Sequence, residues 1–140
     1  METKTQKLRI LFEKWSGEDI ESISLLPQSG SYREYYRIIG VTKNVLGVYN
    51  ADKKENRAFF EFTKHFLLQG LPVPEIYSID HENDLYLIED LGDETLFSFL
   101  TSQRTGNVFP ENLIAIYKKV LDALPLFQIS VGKSLDYSVC

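Results

Sequence analysis

The spacing of hydrophobic residues changes along the chain, and the changes divide it into helices and strands. Between Lys4 and Trp15, apolar residues recur every three or four positions, which predicts an amphipathic helix that ends near Gly17. A second stripe of this kind predicts a helix over Lys54–Gln69, which Gly70 and two prolines end. Its apolar face is expected to pack in a core rather than around a ligand, and it comprises Ala58, Phe59, Phe62, Phe66 and Leu67.

Short runs of β-branched and aromatic residues, separated by small polar residues, predict five strands. Glu18–Ser22, just before them, is polar and is expected to be irregular. The last run, Leu85–Ile88, is entirely apolar, so we expect it to be covered on both faces of the sheet. The five predicted strands are Ile23–Pro27, Tyr35–Ile39, Val45–Tyr49, Glu75–Ile79 and Leu85–Ile88.

Two more helices are expected after the strands. One covers Thr95–Leu100, and the other begins at Pro110, where proline suits a first helical turn. Pro125 should kink or restart this last helix, and Gly132–Cys140 has no clear pattern. The apolar stripe of Pro110–Leu124 would pack against a second lobe, and if it is uncovered it favours self-association.

This order of elements predicts an α+β fold. It consists of a five-stranded, mostly antiparallel sheet with one long helix between strands 3 and 4, one N-terminal helix and two C-terminal helices. We divide the chain into an N-terminal helix (1–17), a lobe that contains the sheet (23–93), two helices (94–131) and a tail (132–140).

Length and charge limit the possible functions. The 140 residues suffice for one compact domain, and the net charge of −5 makes binding to nucleic acid or to an anionic membrane through the overall field unfavourable. Cys140 is the only cysteine, so no disulfide can form within the chain. No apolar run approaches the roughly 18 residues of a spanning helix. We therefore expect a cytoplasmic protein with no nucleic-acid or membrane partner.

Three blocks of sequence carry a resemblance to a known family. They are Gln28–Arg37 (Gln-Ser-Gly-Ser-Tyr-Arg-Glu-Tyr-Tyr-Arg), Gly70–Ile76 and Leu85–Asp93. In order and spacing they resemble the aminoglycoside phosphotransferase / choline kinase superfamily, most of all its sugar kinases that act on N-acetylmuramate and N-acetylglucosamine. The Glu-Asp-Leu-Gly-Asp segment at 89–93 is the most specific element. The resemblance covers about residues 8–130 and implies a kinase-like small lobe at 23–93 that faces ATP.

The first block is similar to the turn that approaches the phosphates in this superfamily. Ser29, Gly30 and Ser31 would let backbone amides reach phosphate oxygens without a bulky side chain in the way. Arg33 and Arg37 would share one face of the following strand and bind phosphate. Two simpler interpretations stay open at this point. The turn can be an ordinary hairpin, and the two arginines can belong to a solvated strand face.

The third block would form the hinge segment, Glu89–Leu91, which reads the edge of adenine through its backbone. Ile88, Leu91 and Val48 would cover the faces of the base. The nucleotide-binding residues that the resemblance implies are therefore Ser29, Gly30, Ser31, Arg33, Arg37, Val48, Ile88, Glu89, Asp90 and Leu91. As an alternative, Asp90 and Asp93 can cap the helix that begins at Thr95.

The third strand departs from the pattern of protein kinases. Protein kinases place a phosphate-pairing lysine there, whereas Leu46–Asn50 contains none. Lys53 and Lys54 lie beyond the strand and are only weak candidates. Either Glu55 or Glu61 could provide the helix carboxylate that normally pairs with such a lysine. The phosphate partner thus stays unassigned at the level of sequence.

A second departure concerns catalysis. The chain contains no His-Gly-Asp motif, and its two histidines, His65 and His81, are expected to be structural because no catalytic partners accompany them. The resemblance therefore implies the N-terminal lobe of an ATP-dependent phosphotransferase, with a sugar as the acceptor. That lobe would be inactive alone, and Mg²⁺ is expected only in a full-length enzyme. The alternatives are a non-catalytic nucleotide-binding or protein-interaction module, and a purely structural α+β domain.

Overall fold

The computed structural model describes residues 2–28, 30–104, 106 and 109–140, and its elements follow the predicted order. Helices α1 and α2 flank the first three strands, and α3 and α4 follow the fifth strand. The helices are α1 (Lys4–Ser16), α2 (Lys53–Leu68), α3 (Leu96–Gln103) and α4 (Glu111–Pro125). The strands are β1 (Ile20–Leu25), β2 (Glu34–Gly40), β3 (Asn44–Tyr49), β4 (Ile76–Asp80) and β5 (Leu85–Glu89).

The five strands form one sheet in the order β1-β2-β3-β5-β4, and every neighbouring pair is antiparallel. The long helix α2 connects β3 to β4. This confirms the predicted α+β fold and the layout expected of a kinase-like small lobe. One boundary is wrong, because β1 begins at Ile20 inside the segment that was expected to be irregular. Ile20 is buried and pairs with Gly40 beside a β-bulge. The residues around Ile20 are polar, so the sequence pattern does not indicate a strand there.

Helix α1 covers one face of the sheet. Thr3 caps its first turn through a capping box with Gln6, and Gly17 ends it in the left-handed conformation at φ 74°. Leu8 and Phe12 are fully buried against the sheet. Gly47 on β3 permits this close approach, since a β-carbon there would lie 2.7 Å from a methyl group of Leu8.

Helix α2 covers the opposite face of the sheet, but its apolar stripe is divided between two partners. Phe59 and Phe60 pack on Tyr86, with ring centroids 5.6 and 5.0 Å away. Phe62 and Phe66 instead contact the C-terminal segment. The prediction that one apolar face of α2 packs in a single core is therefore wrong for Phe62 and Phe66. The prediction for β5 is confirmed, because all four residues from Leu85 to Ile88 are buried between the two helices.

The C-terminal segment is ordered around the outer face of α2. A π-helical turn (Leu126–Ser130) and two 3-10 turns (Gly132–Ser134 and Tyr137–Val139) follow α4. The expectation of no clear structure after residue 131 is thus wrong, because aromatic contacts with α2 organise this segment. Phe127 lies 5.0 Å from Phe66 and Tyr137 lies 6.0 Å from Phe62, in both cases measured between ring centroids.

Helix α4 leaves most of its apolar stripe uncovered. Leu113 is buried, whereas Ile114, Tyr117, Leu121 and Leu124 are exposed. Nothing in the structure tests the predicted self-association through this helix. Among the described residues, no helix is long and apolar enough to cross a bilayer.

The exposed stripe on α4 yields a test of self-association. We expect the apparent mass of the wild-type chain to rise with concentration over the micromolar range, because association removes this apolar surface from water. The double variant Ile114→Glu/Leu121→Glu should stay monomeric. Size-exclusion chromatography with light scattering measures this, with Leu68→Glu on α2 as a control at another exposed leucine. A wild-type chain that is monomeric throughout this range would contradict the prediction.

Candidate nucleotide site

One face of the sheet, the face that α2 covers in part, carries most of the predicted site residues. Arg33, Tyr35 and Arg37 alternate along β2 and the residue before it, so their side chains project to the same side. Tyr35 pairs with Val48 of β3. Arg37 pairs with Leu46 of β3, which in turn pairs with Ile88 of β5. Of these, Val48 and Ile88 are already buried under α2.

At one end of this face, the turn before β2 borders a cleft of about 550 Å³. Gly30 and Ser31 form one wall, and Asn50, Asp52 and Glu55 form part of the other. The predicted site residue Ser29 lies outside the described residues. The Ser31 hydroxyl accepts a hydrogen bond from the backbone amide of Arg33 at 3.2 Å, which fixes the start of β2 beneath the turn.

Arg33 lies at the same end and is held from two sides. An Nη atom lies 3.1 Å from Oε1 of Glu55, and the guanidinium carbon lies 5.1 Å from the ring centroid of Phe59. Its side chain is only 14% exposed. Burial by itself would lower the pKa of Arg33, but Tyr86, Tyr35 and Glu55 outweigh that effect, and the pKa lies above its ordinary value. Arg33 is therefore a permanently charged group in a largely desolvated position.

Two buried hydrogen-bond donors in this region have no acceptor among the described residues. They are Nε of Arg33 and the hydroxyl of Tyr86, whose side chain is 1% exposed. Burial raises the pKa of Tyr86, so the phenol keeps its proton at neutral pH. An unpaired buried donor costs about 1–3 kcal/mol, which makes two in one cluster a feature that requires an explanation.

Glu55 connects Arg33 to the end of β3. One carboxylate oxygen contacts Arg33, and the other accepts a hydrogen bond from Nδ2 of Asn50 at 2.8 Å. The backbone oxygen of Asn50 in turn accepts from Nδ2 of Asn56 at 2.7 Å. Of the two helix carboxylates left open by the sequence, it is Glu55 that pairs with a cation on this face. Glu61 borders a different cavity.

That cavity, of about 890 Å³, lies between α2 and β4. It is the larger of the two described, and none of the predicted nucleotide-binding residues lines it. Lys53, a weak candidate for the phosphate lysine, lies at its border and pairs with Asp84 at 3.3 Å. We therefore place the candidate site on the other side of α2, at the cleft near Gly30.

In the middle of β2, Arg37 binds two carboxylates at once. Its Nε and Nη2 atoms donate to Asp90 at 2.6 and 3.0 Å, and Nη1 and Nη2 each donate to Asp93 at 2.9 Å. These hydrogen bonds from Arg37 hold the pKa of Asp90 and of Asp93 below their ordinary values. This pair of bidentate contacts, the Arg37 fork, fixes the loop after β5 against the sheet. Whether Arg37 also binds nucleotide stays a prediction.

The alternative role of Asp90 and Asp93 as helix caps is wrong. Thr95 caps α3 itself, because its hydroxyl accepts from the Ser98 amide at 3.0 Å and Ser98 bonds back to the Thr95 amide. Both aspartates are engaged by Arg37 instead. Asp90 also accepts from the Gly92 amide at 2.9 Å, which closes a tight turn.

The remaining hinge residues differ in exposure. The Glu89 amide donates to the backbone oxygen of Glu75 at 2.9 Å, and the Glu89 carboxylate accepts from the Glu75 amide at 3.2 Å. Glu89 is therefore engaged with the chain before β4. Leu91 is 67% exposed and is free to cover a ligand. The roles of Glu89, Asp90 and Leu91 in reading a base stay predictions.

The histidines lie away from both ends of this face. Nε2 of His65 lies 3.2 Å from the Val131 backbone oxygen and 3.0 Å from the Ser134 hydroxyl, so it holds the C-terminal segment on α2. His81 packs edge-on against Phe60 at 6.0 Å. Within residues 2–28, 30–104, 106 and 109–140, no three histidine, cysteine, aspartate or glutamate side chains converge as a metal-binding group.

Sequence reasoning missed Tyr86 and Asn50 as members of this region. Tyr86 lies in a fully apolar run, so it was expected to be only a core residue. Its hydroxyl, in a run otherwise made of leucine and isoleucine, was the one available signal. Asn50 directly follows β3, the strand that carries the phosphate-binding lysine in protein kinases. An amide side chain at this position was a second signal, and the structure shows that it is buried.

No family model and no curated protein matches this chain. Among solved structures, a candidate fructosamine-3-kinase from Haemophilus somnus 129PT is similar to it, with a TM-score of 0.47 and 21% sequence identity. The similar region covers 67% of this chain and 34% of that one, so the chain spans about a third of the length of that protein. We draw no function from a likeness at this level.

The fork of Arg37 yields a prediction about pH. Both carboxyl pKa values are lowered on folding, so the stability they contribute is present above their ordinary value of 3.8 and is lost as the pH falls through the lower folded values. Arg37→Gln should therefore lower the thermal unfolding midpoint by several degrees at neutral pH, and the difference from wild type should shrink in acid. Circular dichroism melts between neutral pH and about pH 2 measure this.

Arg9→Gln provides the control for that experiment. It removes an exposed helix pair with Glu13 at 3.7 Å, which should change the midpoint little at any pH. If the Arg37→Gln difference is the same at neutral and acid pH, the fork does not supply the stability that we assign to it.

Proposed function

We propose that this chain is the nucleotide-binding lobe of an ATP-dependent phosphotransferase that acts on a small molecule. One observation carries the proposal. Both ends of the site implied by the sequence resemblance, Arg33 beside the turn at Gly30–Ser31 and Arg37 beside the hinge segment, lie along one face of one sheet. An arrangement on opposite faces would have made a shared ligand impossible.

The dimensions of this face suit an extended nucleotide. Arg33 and Arg37 are four residues apart on an extended chain, which corresponds to roughly 13 Å along the strand. A base at the hinge segment and a phosphate chain at the turn would be separated by a ribose over this span. Arg33, at the turn end, offers a fixed positive charge and an Nε donor with no acceptor among the described residues, which suits phosphate.

The chemistry that follows is positioning and charge neutralisation, since phosphoryl transfer requires little else from the protein. We propose ATP as the nucleotide and a sugar as the acceptor, and the acceptor class rests on the sequence resemblance of the three blocks, most of all Glu89–Asp93. Mg²⁺ would bind together with the residues of a catalytic loop. Because these 140 residues contain no His-Gly-Asp motif, we propose nucleotide binding without turnover for this chain by itself.

Nuclear magnetic resonance of the isotope-labelled chain tests this proposal. On addition of ATP, we expect amide shifts at Gly30, Ser31, Leu46 and the hinge segment, because a nucleotide along this face contacts both ends of it. Residues of the α1 face, such as Leu11 and Trp15, serve as internal controls and should not shift. Adenosine alone should shift only the amide resonances at the hinge segment, and inorganic tripolyphosphate should shift only those at the Gly30–Ser31 turn.

No shifts at millimolar ATP would contradict the proposal. Shifts confined to the α1 face, or to the cavity between α2 and β4, would contradict it equally, because they would place the ligand away from the turn and the hinge.

A further inference from the structure

The strand that carries the phosphate-binding lysine in protein kinases has no lysine in this chain. In those enzymes the lysine forms an ion pair with a carboxylate on the helix that follows. Here β3 runs from Asn44 to Tyr49 without a cation, and the buried Asn50 follows it. The proposed function therefore needs a positive charge from another element.

The neighbouring strand supplies such a charge. Arg33 immediately precedes β2 and makes an ion pair with Glu55 in the first turn of α2. Glu55 is anchored in turn by Nδ2 of Asn50, the residue that ends β3. A helix carboxylate thus holds a cation beside the sheet, as in protein kinases, but here the cation comes from the residue before β2 instead of from β3.

The pair leaves hydrogen-bonding capacity unused. Nε of Arg33 is buried and has no acceptor among the described residues, and the same holds for the Tyr86 hydroxyl. The ring centroid of Phe59 lies 5.1 Å from the guanidinium carbon of Arg33 and 5.6 Å from the ring centroid of Tyr86, so both side chains pack against the same phenylalanine of α2. Glu55 contacts Nη2 of the guanidinium, and Nε is left without an acceptor among the described residues.

We propose that Arg33 and Tyr86 form a phosphate-binding pair in this chain, that Arg33 replaces the missing lysine of β3, and that Glu55 is the residue that positions Arg33. The ligand class is a polyphosphate, bound as part of a nucleotide. This inference rests on the proposed function for the identity of the nucleotide, but the anion site itself can be tested without a base.

Anionic oxygen is the acceptor that such a site favours. Arg33 carries a permanent charge and its planar group donates in a fixed direction, whereas the Tyr86 phenol donates a single proton. Phosphate oxygens accept from both donors and also gain from the positive charge, which makes these bonds stronger than bonds between neutral groups. Glu55 opposes an anion by its charge, so its contribution is to hold the guanidinium in place.

Isothermal titration calorimetry with inorganic tripolyphosphate and with ATP tests the pair. Arg33→Gln should weaken the binding of both ligands at least about tenfold, since a hydrogen bond to a charged group is lost together with the charge. Arg33→Lys should restore only part of the affinity, because lysine lacks the Nε donor. Arg9→Gln, on the exposed face of α1, removes the same charge elsewhere and should have little effect.

Tyr86→Phe separates a binding role from a structural one. The variant removes a buried hydroxyl that has no partner within the described residues, so the ligand-free protein should be as stable as wild type or more stable in thermal unfolding. Its affinity for tripolyphosphate should nevertheless fall by about threefold to tenfold. A variant that is destabilised without ligand and binds tripolyphosphate normally would show that the hydroxyl has a structural partner, and would overturn the role of Tyr86.

Glu55→Gln tests the positioning role through the sign of its effect. Removal of a negative charge near the site strengthens anion binding by Coulomb's law, whereas loss of the ion pair that orients Arg33 weakens it. We expect weaker tripolyphosphate binding. Tighter binding would overturn the positioning role of Glu55.

Failure of this inference and failure of the proposed function give different results. If ATP binds wild type and Arg33→Gln equally, the nucleotide-binding function stands and the phosphate pair is wrong. If tripolyphosphate binds in an Arg33-dependent manner but ATP binds no better than tripolyphosphate, the anion pair stands and the nucleotide function is wrong. If wild type binds neither ligand, both are wrong.

Discussion

The ion pair between Arg33 and Glu55 is the contact on which the candidate site depends. It joins the start of β2 to the first turn of α2, and through Asn50 it also includes the end of β3. The turn at Gly30 and Ser31, the end of β3 and the first turn of α2 line the neighbouring cleft. Because Arg33 is largely buried, its charge is weakly screened, and an anion bound beside it would interact more strongly than at an exposed arginine.

Arg33, just before β2, and Arg37, four residues further along the chain, thus have different surroundings. Arg37 donates four hydrogen bonds to Asp90 and Asp93, which neutralise its charge, and these bonds fix the loop after β5. Arg33 faces one carboxylate, and its Nε has no acceptor in the part of the chain that the structure describes. The difference comes from the partners that the fold brings to each arginine, and a sequence pattern that treats both as phosphate ligands does not distinguish them.

The fold was predictable because its signals are local. The capping residue Thr3, the end at Gly17 and the β-rich runs each specify an element from adjacent residues, and the sheet follows from their order. The errors arise where distant segments meet. Phe62 and Phe66 pack against Tyr137 and Phe127 of the C-terminal segment and not against the sheet. These contacts join residues about 60–75 positions apart, and the periodicity of the sequence does not reveal them. The role of Glu55 was likewise open until the structure showed its contact with Arg33.

The most direct test of the central claim is the side-chain Nε–H resonance of Arg33, assigned by its loss in Arg33→Lys, followed by nuclear magnetic resonance during titration with ATP. A new hydrogen bond to a phosphate oxygen should move the proton downfield and slow its exchange with water, and adenosine should do neither. An Arg33 resonance that stays unchanged while ATP saturates the protein would contradict the account.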